Sequence, residues 1–390
     1  MGLLNRFGMG RQETADADAA ADADARITGF AEALESEDIG TRWRAVRAVG
    51  EMGEAAVLSL AGALEDEDWC VRREAAAGLV RIGPAAVPPL IGMLSHADDA
   101  VREDVIGALR LIGRPAVDAL KQAVQDEDGM VRCGALEALE GVDAADVFLA
   151  ALGDDDPRVR RSAVAGVMRA GDERGIGGLV GLLGDPDEQV RALAADALAA
   201  FGEGAVAPCI GALGEGDEDA RRRSAAVLVR IGEAAADPLV AALQDERPSV
   251  RRWAAWVLGE VQAEEAVAPL IAALSDPDRG VRWHVAGALA GIGAPAVGPL
   301  IAALGEGDEV ARHRVMEALW RVGEAAAPAL VELAGATDAP TRRSSAIVLG
   351  EIGVPAVSGA LQGLLQDPDR EVRREAFEAL ETIKARGDLV

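Results

Sequence analysis

The chain has 390 residues, half of them hydrophobic but only 3% aromatic, and it carries a formal net charge of -27 at pH 7. Such a charge repels phosphate backbones and anionic lipids, so we expect no binding to nucleic acid and none to acidic membranes. Carboxylates are abundant and lysine is nearly absent, which is typical of proteins that stay soluble in concentrated salt. The composition therefore predicts an acidic, halophilic protein, with an acidic protein of the ordinary cytosol as the alternative.

The three cysteines, Cys70, Cys133 and Cys209, lie far apart and show no C-x-x-C spacing. This pattern fits neither a disulfide framework nor a zinc site and indicates a reducing, cytoplasmic location. We expect no membrane span, because no run of about 18 apolar residues occurs. The first ten residues also lack the apolar core and cleavage site of a secretory signal.

Residues 1–25 are predicted to form a disordered acidic tail. Thr14 to Ala25 alternates alanine and aspartate, which offers little to bury and much to solvate. The first ten residues contain Leu3, Leu4, Phe7 and Met9. They are interpreted either as a frayed terminus or as a short docking peptide.

From residue 26 to residue 387 one unit of about 30 residues recurs, which predicts a single repeat domain whose units pack on their neighbours. One arginine marks each unit, and positions below are counted from it: Arg42, Arg72, Arg102, Arg132, Arg160, Arg191, Arg221, Arg251, Arg282, Arg312, Arg342 and Arg373. An aspartate stands at position -4 in every unit except one, where Arg247 replaces it. Aspartate at this place predicts the N-cap of a helix.

Each unit is predicted to form two short helices joined by a turn. Apolar residues at -1, +3, +4, +7 and +10 indicate the first helix. A glycine follows at +11 in nine units and suits the left-handed residue that ends a helix, whereas Asp143, Gln262 and Lys384 stand there in the others. The second helix, as in 86–94, carries prolines in or near its first turn, where a missing amide costs little.

The two ends of the repeat region are predicted to be half-repeats. Ile27–Leu34 has the pattern of a second helix alone, and Glu371–Lys384 has the pattern of a first helix alone. Terminal units of this kind cover the otherwise exposed ends of a stack.

The pattern D-x-x-V-R-x-x-A-A-x-x-L-x-x-I-G followed by A-V-x-P-L resembles the HEAT-repeat superfamily, and in particular its PBS-lyase HEAT-like repeats. The resemblance covers nearly all of the chain after residue 25. It implies an all-α fold, a right-handed α-α superhelical solenoid of about eleven two-helix repeats with half-repeat caps. First helices would line the convex side and second helices the concave side.

The resemblance also implies a ladder of aspartate and arginine side chains that links neighbouring units. Its residues would include Asp68, Arg72, Asp98, Arg102, Asp187, Arg191, Asp278, Arg282, Asp308 and Arg312. Because the pair recurs in nearly every unit, we interpret it as structural, since a catalytic site is needed only once.

No enzymatic site is predicted. The only histidines are His96, His284 and His313, and they occur in no H-E-x-x-H motif and without a neighbouring cysteine. No phosphate-binding G-x-x-x-x-G-K-[ST] loop is present. We therefore expect no cofactor, no metal and no small-molecule substrate.

An aromatic and arginine cluster between residues 252 and 320 is the candidate partner-binding patch. Its members share positions off the apolar stripe, which predicts at least partial exposure: Trp253, Trp256, Trp283, His284, His313 and Trp320, with Arg252, Arg279 and Arg314. Tryptophan and arginine are the residue types of interface hot spots. The alternative is packing between neighbouring units, as Trp43 at +1 of the first unit suggests.

These observations predict a non-enzymatic scaffold or adaptor that binds one or more proteins, with a signalling assembly as a setting by family analogy alone. The alternative that the resemblance suggests is a bilin-lyase-type subunit acting on a chromophore-bearing partner protein.

Overall fold

The computed structural model describes residues 29–30, 32–306 and 308–387, and the regular structure in these ranges is helical throughout. The predicted tail, residues 1–25, lies outside the described residues. Helical residues at 29–30 and 32–34 belong to the first predicted half-repeat.

Helices are numbered in chain order, and first and second helices alternate. The first helices are α1 (Ile39–Val49), α3 (Trp69–Ile82), α5 (Asp99–Ile112), α7 (Gly129–Ala138), α9 (Pro157–Ala170), α11 (Glu188–Phe201), α13 (Glu218–Ile231), α15 (Pro248–Glu260), α17 (Arg279–Ile292), α19 (Glu309–Val322), α21 (Ala339–Ile352) and α23 (Arg370–Gly387). The second helices are α2 (Val57–Ala63), α4 (Val87–Gly92), α6 (Arg114–Ala123), α8 (Ala145–Ala151), α10 (Ile176–Leu182), α12 (Glu203–Ala212), α14 (Ala236–Ala242), α16 (Val267–Ala273), α18 (Ala294–Glu306), α20 (Ala327–Leu333) and α22 (Ser358–Leu364). Short 3-10 turns precede several second helices.

The first helices begin where the aspartates predict. The Asp278 carboxylate accepts a hydrogen bond from the Val281 amide at 2.9 Å, and Asp38 accepts one from the Thr41 amide at 2.8 Å. Each such cap contributes about 1 kcal/mol to helix stability. Arg247, at the start of α15, caps no amide with its side chain.

The glycines at +11 have a positive φ, between 57° and 78°, in all nine units. Gly171 and Gly353 adopt the predicted left-handed conformation, whereas the other seven combine the positive φ with ψ between -125° and -140°. Gln262 also has a positive φ, of 55°, and is the one non-glycine residue with one in the described ranges. In the unit that has Asp143, the first helix ends early and Gly141 has the positive φ instead, at 87°. The turn between the two helices therefore needs a residue with a positive φ, whichever residue supplies it.

The internal packing divides the chain into two compact units, Met1–Gly178 and Leu179–Val390. Within each unit, a first helix packs on the next first helix and on the second helices beside it. Position +7 of the first helix is buried in every repeat except the last. Burial of each such leucine or valine stabilises the fold by about 1.5–3 kcal/mol.

One stretch, Trp69–Gly92, is long and apolar enough to cross a membrane by length and composition alone. Gly83, at φ 78°, divides this stretch into α3 and α4. Leu79 and Leu90, one on either side of that glycine, are fully buried in the repeat core.

Candidate functional site

The repeat arginine ties its own helix to the loop that precedes it. Arg251 Nη1 donates to the Asp245 carbonyl at 2.8 Å and to the Glu246 carbonyl at 3.1 Å. The same two bonds, to the carbonyls at -6 and -5, recur at Arg42, Arg72, Arg132, Arg160, Arg191, Arg282, Arg342 and Arg373.

The other edge of the same guanidinium binds a carboxylate of the next repeat. Arg251 Nε and Nη2 donate to the two Asp276 oxygens at 2.7 and 2.9 Å. We call this contact an arginine bridge, and it is present at Arg42–Asp66, Arg132–Asp154, Arg251–Asp276 and Arg342–Asp367. The acceptor stands at -6 of the following repeat, where its side chain also accepts the amide of the residue at -4.

The structure therefore places the linking carboxylate two residues earlier than the resemblance implied. The aspartates at -4 cap helices instead: Asp68, Asp98, Asp187, Asp278 and Asp308 accept backbone amides of their own helix. The arginines of the predicted ladder bind other partners. Arg72 binds Asp104 at 2.9 Å, and Arg102 binds Asp99. Arg191 and Arg282 bind the loop carbonyls, and Arg312 donates to the Leu304 carbonyl at 3.3 Å.

The Asp367 and Asp276 carboxylates of the bridges are ionised at neutral pH. Hydrogen bonds from Arg342 hold the pKa of Asp367 below its ordinary value, against the opposing effect of burial. Burial raises the pKa of Asp276, but the hydrogen bonds from Arg251 and from the Asp278 amide outweigh it, so that pKa is also lowered. Charge-assisted bonds in such sheltered places fix the register of neighbouring repeats more than they add raw stability.

The predicted partner patch separates into a buried cluster and an exposed surface. Trp253 is only 8% exposed, so the expectation that it lies at the surface is wrong. Its ring meets Trp256 edge-on at 5.4 Å between centroids and lies 6.5 Å from His284. Trp256 and His284 are themselves half-buried. These three side chains pack α15 against α17.

Position +2 is inward-facing because side chains there reach back to earlier repeats. Asp104 accepts from Arg72 of the preceding repeat at 2.9 Å, and Arg314 donates at 3.2 Å to the carbonyl of Leu274, at the end of α16. Trp253 and His284 both stand at +2, so they fill the space between successive first helices. The Trp253 Nε1 atom in α15 and the Arg321 Nε atom in α19 are each buried without a hydrogen-bond partner among the described residues.

Trp283 and Trp320 lie at the surface, with 56% and 47% of their areas exposed. Arg321 of α19 stacks over the Trp283 ring of α17, 5.0 Å from its centroid, and so joins the two helices. Arg279 lies one turn before Trp283, and His313 lies two turns before Trp320, so each pair shares a helix face. We call Arg279, Trp283, His313, Trp320 and Arg321 the Trp283 surface.

Charges around this surface are unequally paired. Arg252 holds both Glu218 oxygens at 2.8 and 3.0 Å, and Arg321 binds Glu317 at 3.1 Å. Arg279 is exposed and has no carboxylate within ion-pair distance in the described ranges. Burial lowers the pKa of His284, whose Nδ1 lies 2.9 Å from the Gly280 carbonyl, so this imidazole is neutral at pH 7 and its Nδ1 carries the proton.

Other exposed apolar side chains were not predicted from the sequence. Trp69, Leu58, Leu111 and Phe377 are 59%, 79%, 75% and 59% exposed. Trp69 stands at -3, where most repeats have a polar, small or proline residue. This departure from the repeat pattern could have identified Trp69 as an exposed tryptophan. These side chains are dispersed along the chain, and no arginine of the described residues stacks on Trp69 or Phe377.

No group of three or more metal-ligating side chains occurs in the described ranges. Burial raises the pKa of Cys133 to about 11 and that of Cys209 to about 12, so both thiols stay protonated at neutral pH. Neither cysteine has the thiolate character that nucleophilic chemistry requires.

Open grooves cross the first helices where position +2 is small. One, of about 410 Å³, lies over Gly134 and Ser162, and another, of about 310 Å³, lies over Ser344 beside His313. In the first groove, the Cys133 thiol lies 3.1 Å from Ser162 Oγ and 3.3 Å from Glu137 Oε1. The thiol, the hydroxyl and the carboxylate therefore satisfy one another.

A family model described as HEAT repeats matches residues 27–110, 87–147, 128–199, 145–230, 178–247, 236–306 and 297–381. The chain belongs to the HEAT-repeat family. No curated protein matches the sequence. The finer assignment to PBS-lyase HEAT-like repeats stays a prediction.

Solved structures of other helical-repeat proteins are similar at low identity. An engineered protein shares 23% identity at a TM-score of 0.26, over 92% of this chain and 99% of that one. The karyopherin Kap121p, bound to the extreme C-terminus of the protein phosphatase Cdc14p, shares 13% sequence identity at a TM-score of 0.45, and the match covers 92% of this chain and 50% of that one. Importin beta shares 15% sequence identity at a TM-score of 0.38, and the match covers 92% of this chain and 67% of that one. The chain thus spans half the length of Kap121p.

Proposed function

We propose that this HEAT-repeat protein is a non-enzymatic, cytoplasmic scaffold that binds a protein partner through the Trp283 surface. The observation that carries the proposal is the pair of exposed tryptophans on neighbouring first helices, together with Arg321, which follows Trp320 in the sequence and stacks on Trp283. Repeat arrays offer extended surfaces of this kind to large ligands.

Tryptophan and arginine are enriched among the few residues that carry most of the energy of protein interfaces. The indole of Trp283 already rests against Arg321, so its orientation is fixed before a partner arrives. A preorganised side chain loses less conformational entropy on binding. Buried Trp253, with half-buried Trp256 and His284, packs beside it and gives the surface a rigid base.

The chemistry of the surface favours a partner with an apolar anchor next to a carboxylate. Arg279 lies one helical turn from Trp283 and is exposed without an ion pair in the described ranges. The repeats elsewhere carry a large excess of carboxylates, so most of the molecule repels an acidic partner. Binding is therefore directed to the few places where arginine meets tryptophan.

Affinity capture from the native organism, at its own salt concentration, tests the proposal. We expect the wild-type chain to retain a protein that Trp283→Ala/Trp320→Ala loses, because truncation of a hot-spot residue typically costs 2 kcal/mol or more, about 30-fold in Kd. The captured protein is then purified and titrated against both forms by calorimetry.

Trp69→Ala is the matched control, since Trp69 is exposed to the same degree on a first helix of the other compact unit. It should retain the partner with unchanged Kd. Equal recovery of every protein by the wild-type chain and the double variant would contradict the proposal.

The bilin-lyase alternative is tested separately by mixing the protein with a bilin and a candidate acceptor protein. A new visible absorbance band that stays with the acceptor protein after denaturation, and so reports covalent attachment, would favour the bilin-lyase alternative. An unchanged spectrum would contradict it. A role in a signalling assembly depends on the identity of the captured partner.

A further inference from the structure

The last first helix, α23, has an uncovered apolar face. Position +4 is buried or half-buried in the eleven other repeats, whereas Phe377, which stands there in α23, is 59% exposed. Leu380 at +7 is half-exposed, although that position is buried in every other repeat. No helix follows α23 in the described ranges, so these two positions have no next first helix to cover them.

In the other repeats, position +4 faces the first helix of the following repeat. Ile106, at +4 of α5, lines one groove together with Gly134 of α7, and Met316 of α19 lines another with Ser344 of α21. The residue at +4 elsewhere is alanine, valine, isoleucine, leucine or methionine, so Phe377 is the largest of the series. Because an end unit that faces water needs a polar outer face, a phenylalanine there indicates that another surface covers it.

Charged side chains surround Phe377 with alternating sign along the helix. Arg374, Phe377, Glu381 and Lys384 follow one another at spacings of three and four residues, so they share one face, and all four are exposed. The basic and acidic residues of α23 nearly balance, in contrast to the chain as a whole, whose formal charge is -27. Two copies of this helix can therefore approach without strong repulsion between the helices themselves.

We propose that two copies of this chain associate through α23, with the two helices antiparallel about a two-fold axis that passes just after Phe377. In this register, Arg374 of one copy comes opposite Glu381 of the other. Glu371 likewise comes opposite Lys384. Each contact occurs twice, because a two-fold interface uses the same surface of both copies. The two Phe377 rings cover one another at the centre, and their burial supplies the apolar part of the binding energy.

The charges favour this two-fold dimer over a head-to-tail chain of copies. Between successive repeats of the chain, position +1 of one first helix meets position +2 of the next, as when Arg343 donates to Glu375 at 3.2 and 3.1 Å. If α23 of one copy were followed by α1 of another, Arg374 at +1 would meet Arg44 at +2. Two guanidinium groups would then repel each other, whereas the antiparallel pair sets arginine against glutamate.

Sedimentation equilibrium over a series of protein concentrations tests the association. It is measured in about 0.3 M KCl, where the Debye length is below about 8 Å, so that long-range repulsion between the copies is screened. The wild type should dimerise, and Phe377→Glu should raise the Kd of the dimer by at least about 30-fold, as expected for a hot-spot residue. Leu111→Glu is the matched control, because Leu111 is a 75% exposed apolar residue of α5, and it should leave the Kd unchanged.

A charge-reversal cycle tests the antiparallel register. Arg374→Glu and Glu381→Arg should each raise the Kd about tenfold, because each sets like charges against one another twice. The double variant Arg374→Glu/Glu381→Arg should return the Kd to within about threefold of the wild type, since opposite charges face each other again. The two positions are two helical turns apart in α23 and are not neighbours on it, so the recovery reports the contact between copies.

Four results would overturn the proposal. They are a chain that stays monomeric at millimolar concentration, a dimer that Phe377→Glu leaves intact, single charge variants that the double variant does not restore, and association that Ala48→Glu on the exposed face of α1 abolishes. The last would show head-to-tail contact. Trp283→Ala/Trp320→Ala should leave the Kd of the dimer unchanged, so this proposal and partner binding at the Trp283 surface can fail independently. Circular dichroism shows that each variant is folded.

Discussion

Among single residues, Arg247 has the clearest thermodynamic consequence. It stands where other repeats have a capping aspartate, and its guanidinium, which has no acceptor for an amide of α15, donates to the Asp245 carboxylate at 2.9 Å. The Arg247 side chain is 43% exposed, so its ion pair with Asp245 contributes little to the stability of the fold. The first turn of α15 therefore lacks the side-chain acceptor that α17 receives from Asp278.

Arg247→Asp should raise the free energy of unfolding by about 1 kcal/mol, because the new carboxylate can accept the Val250 amide and lies favourably at a helix N-terminus. Urea denaturation followed by circular dichroism measures the change. Arg247→Ala is the control, since it removes the Asp245 pair without adding a cap. If the two variants are equally stable, the capping argument fails.

The exposure of each tryptophan was only partly predictable, because one residue of offset separates an outward from an inward side chain. Trp283 at +1 and Trp253 at +2 are both off the apolar stripe, yet one is 56% exposed and the other 8%. Position +2 faces earlier repeats, but half of the repeats have a charged residue there, such as Asp104, Arg223 and Arg314, so the residue types do not indicate an inward-facing position. Periodicity within one helix does not show which side its neighbour occupies.

At the scale of helices, the contact between α15 and α17 is set by two glycines. A Cβ on Gly259 would meet the Ala288 Cα at 2.6 Å, and one on Gly291 would meet the Gly259 carbonyl oxygen at 2.9 Å. The backbones of α15 and α17 are in direct contact here, so a side chain added at either glycine would meet backbone atoms that cannot move aside. Gln262, at the end of α15, adds a bond from its side-chain amide to the Gly291 carbonyl at 3.0 Å.

Gly259→Ala should therefore destabilise the protein by about 1–3 kcal/mol through overpacking, despite the better helix propensity of alanine. Gly287→Ala, in α17, places its methyl group in open space and should stabilise by up to about 1 kcal/mol. Denaturant midpoints of the two variants measure the difference. Shifts in the same direction would show that propensity, not contact, decides the outcome at these positions.

Helix starts, glycine turns and the two-helix repeat follow from the sequence because each depends on residues close together along the chain. The arginine bridge could not be predicted from the sequence, because its acceptor belongs to the next repeat. Asp66, Asp276 and Asp367 lie in loops rich in carboxylates, where the aspartates at -4 have the more regular spacing. Only the geometry separates the capping aspartate from the bridging one.

For the molecule as a whole, the net charge of -27 opposes folding through repulsion among the carboxylates. Added salt screens this repulsion, since the Debye length falls from about 10 Å at 0.1 M to about 3 Å at 1 M. The arginine bridges are sheltered and lose less to screening than exposed pairs do.

The urea midpoint should accordingly rise between 0.1 M and 2 M KCl. A chain with Glu127→Gln, Asp155→Asn and Glu173→Gln, all exposed acids, should rise by less, because it starts with less repulsion to screen. Both midpoints are measured by circular dichroism at pH 7. A midpoint that falls or stays constant with salt would contradict the halophilic interpretation.

Each arginine bridge spans only 22 to 25 residues of sequence. The donor, its loop carbonyls and its acceptor therefore all belong to two adjacent hairpins. A gene that duplicates or deletes a whole hairpin brings the donor and the acceptor of such a link together again at the new junction. Proteins of this kind can change length in steps of one hairpin over evolutionary time, because no distant contact has to be rebuilt.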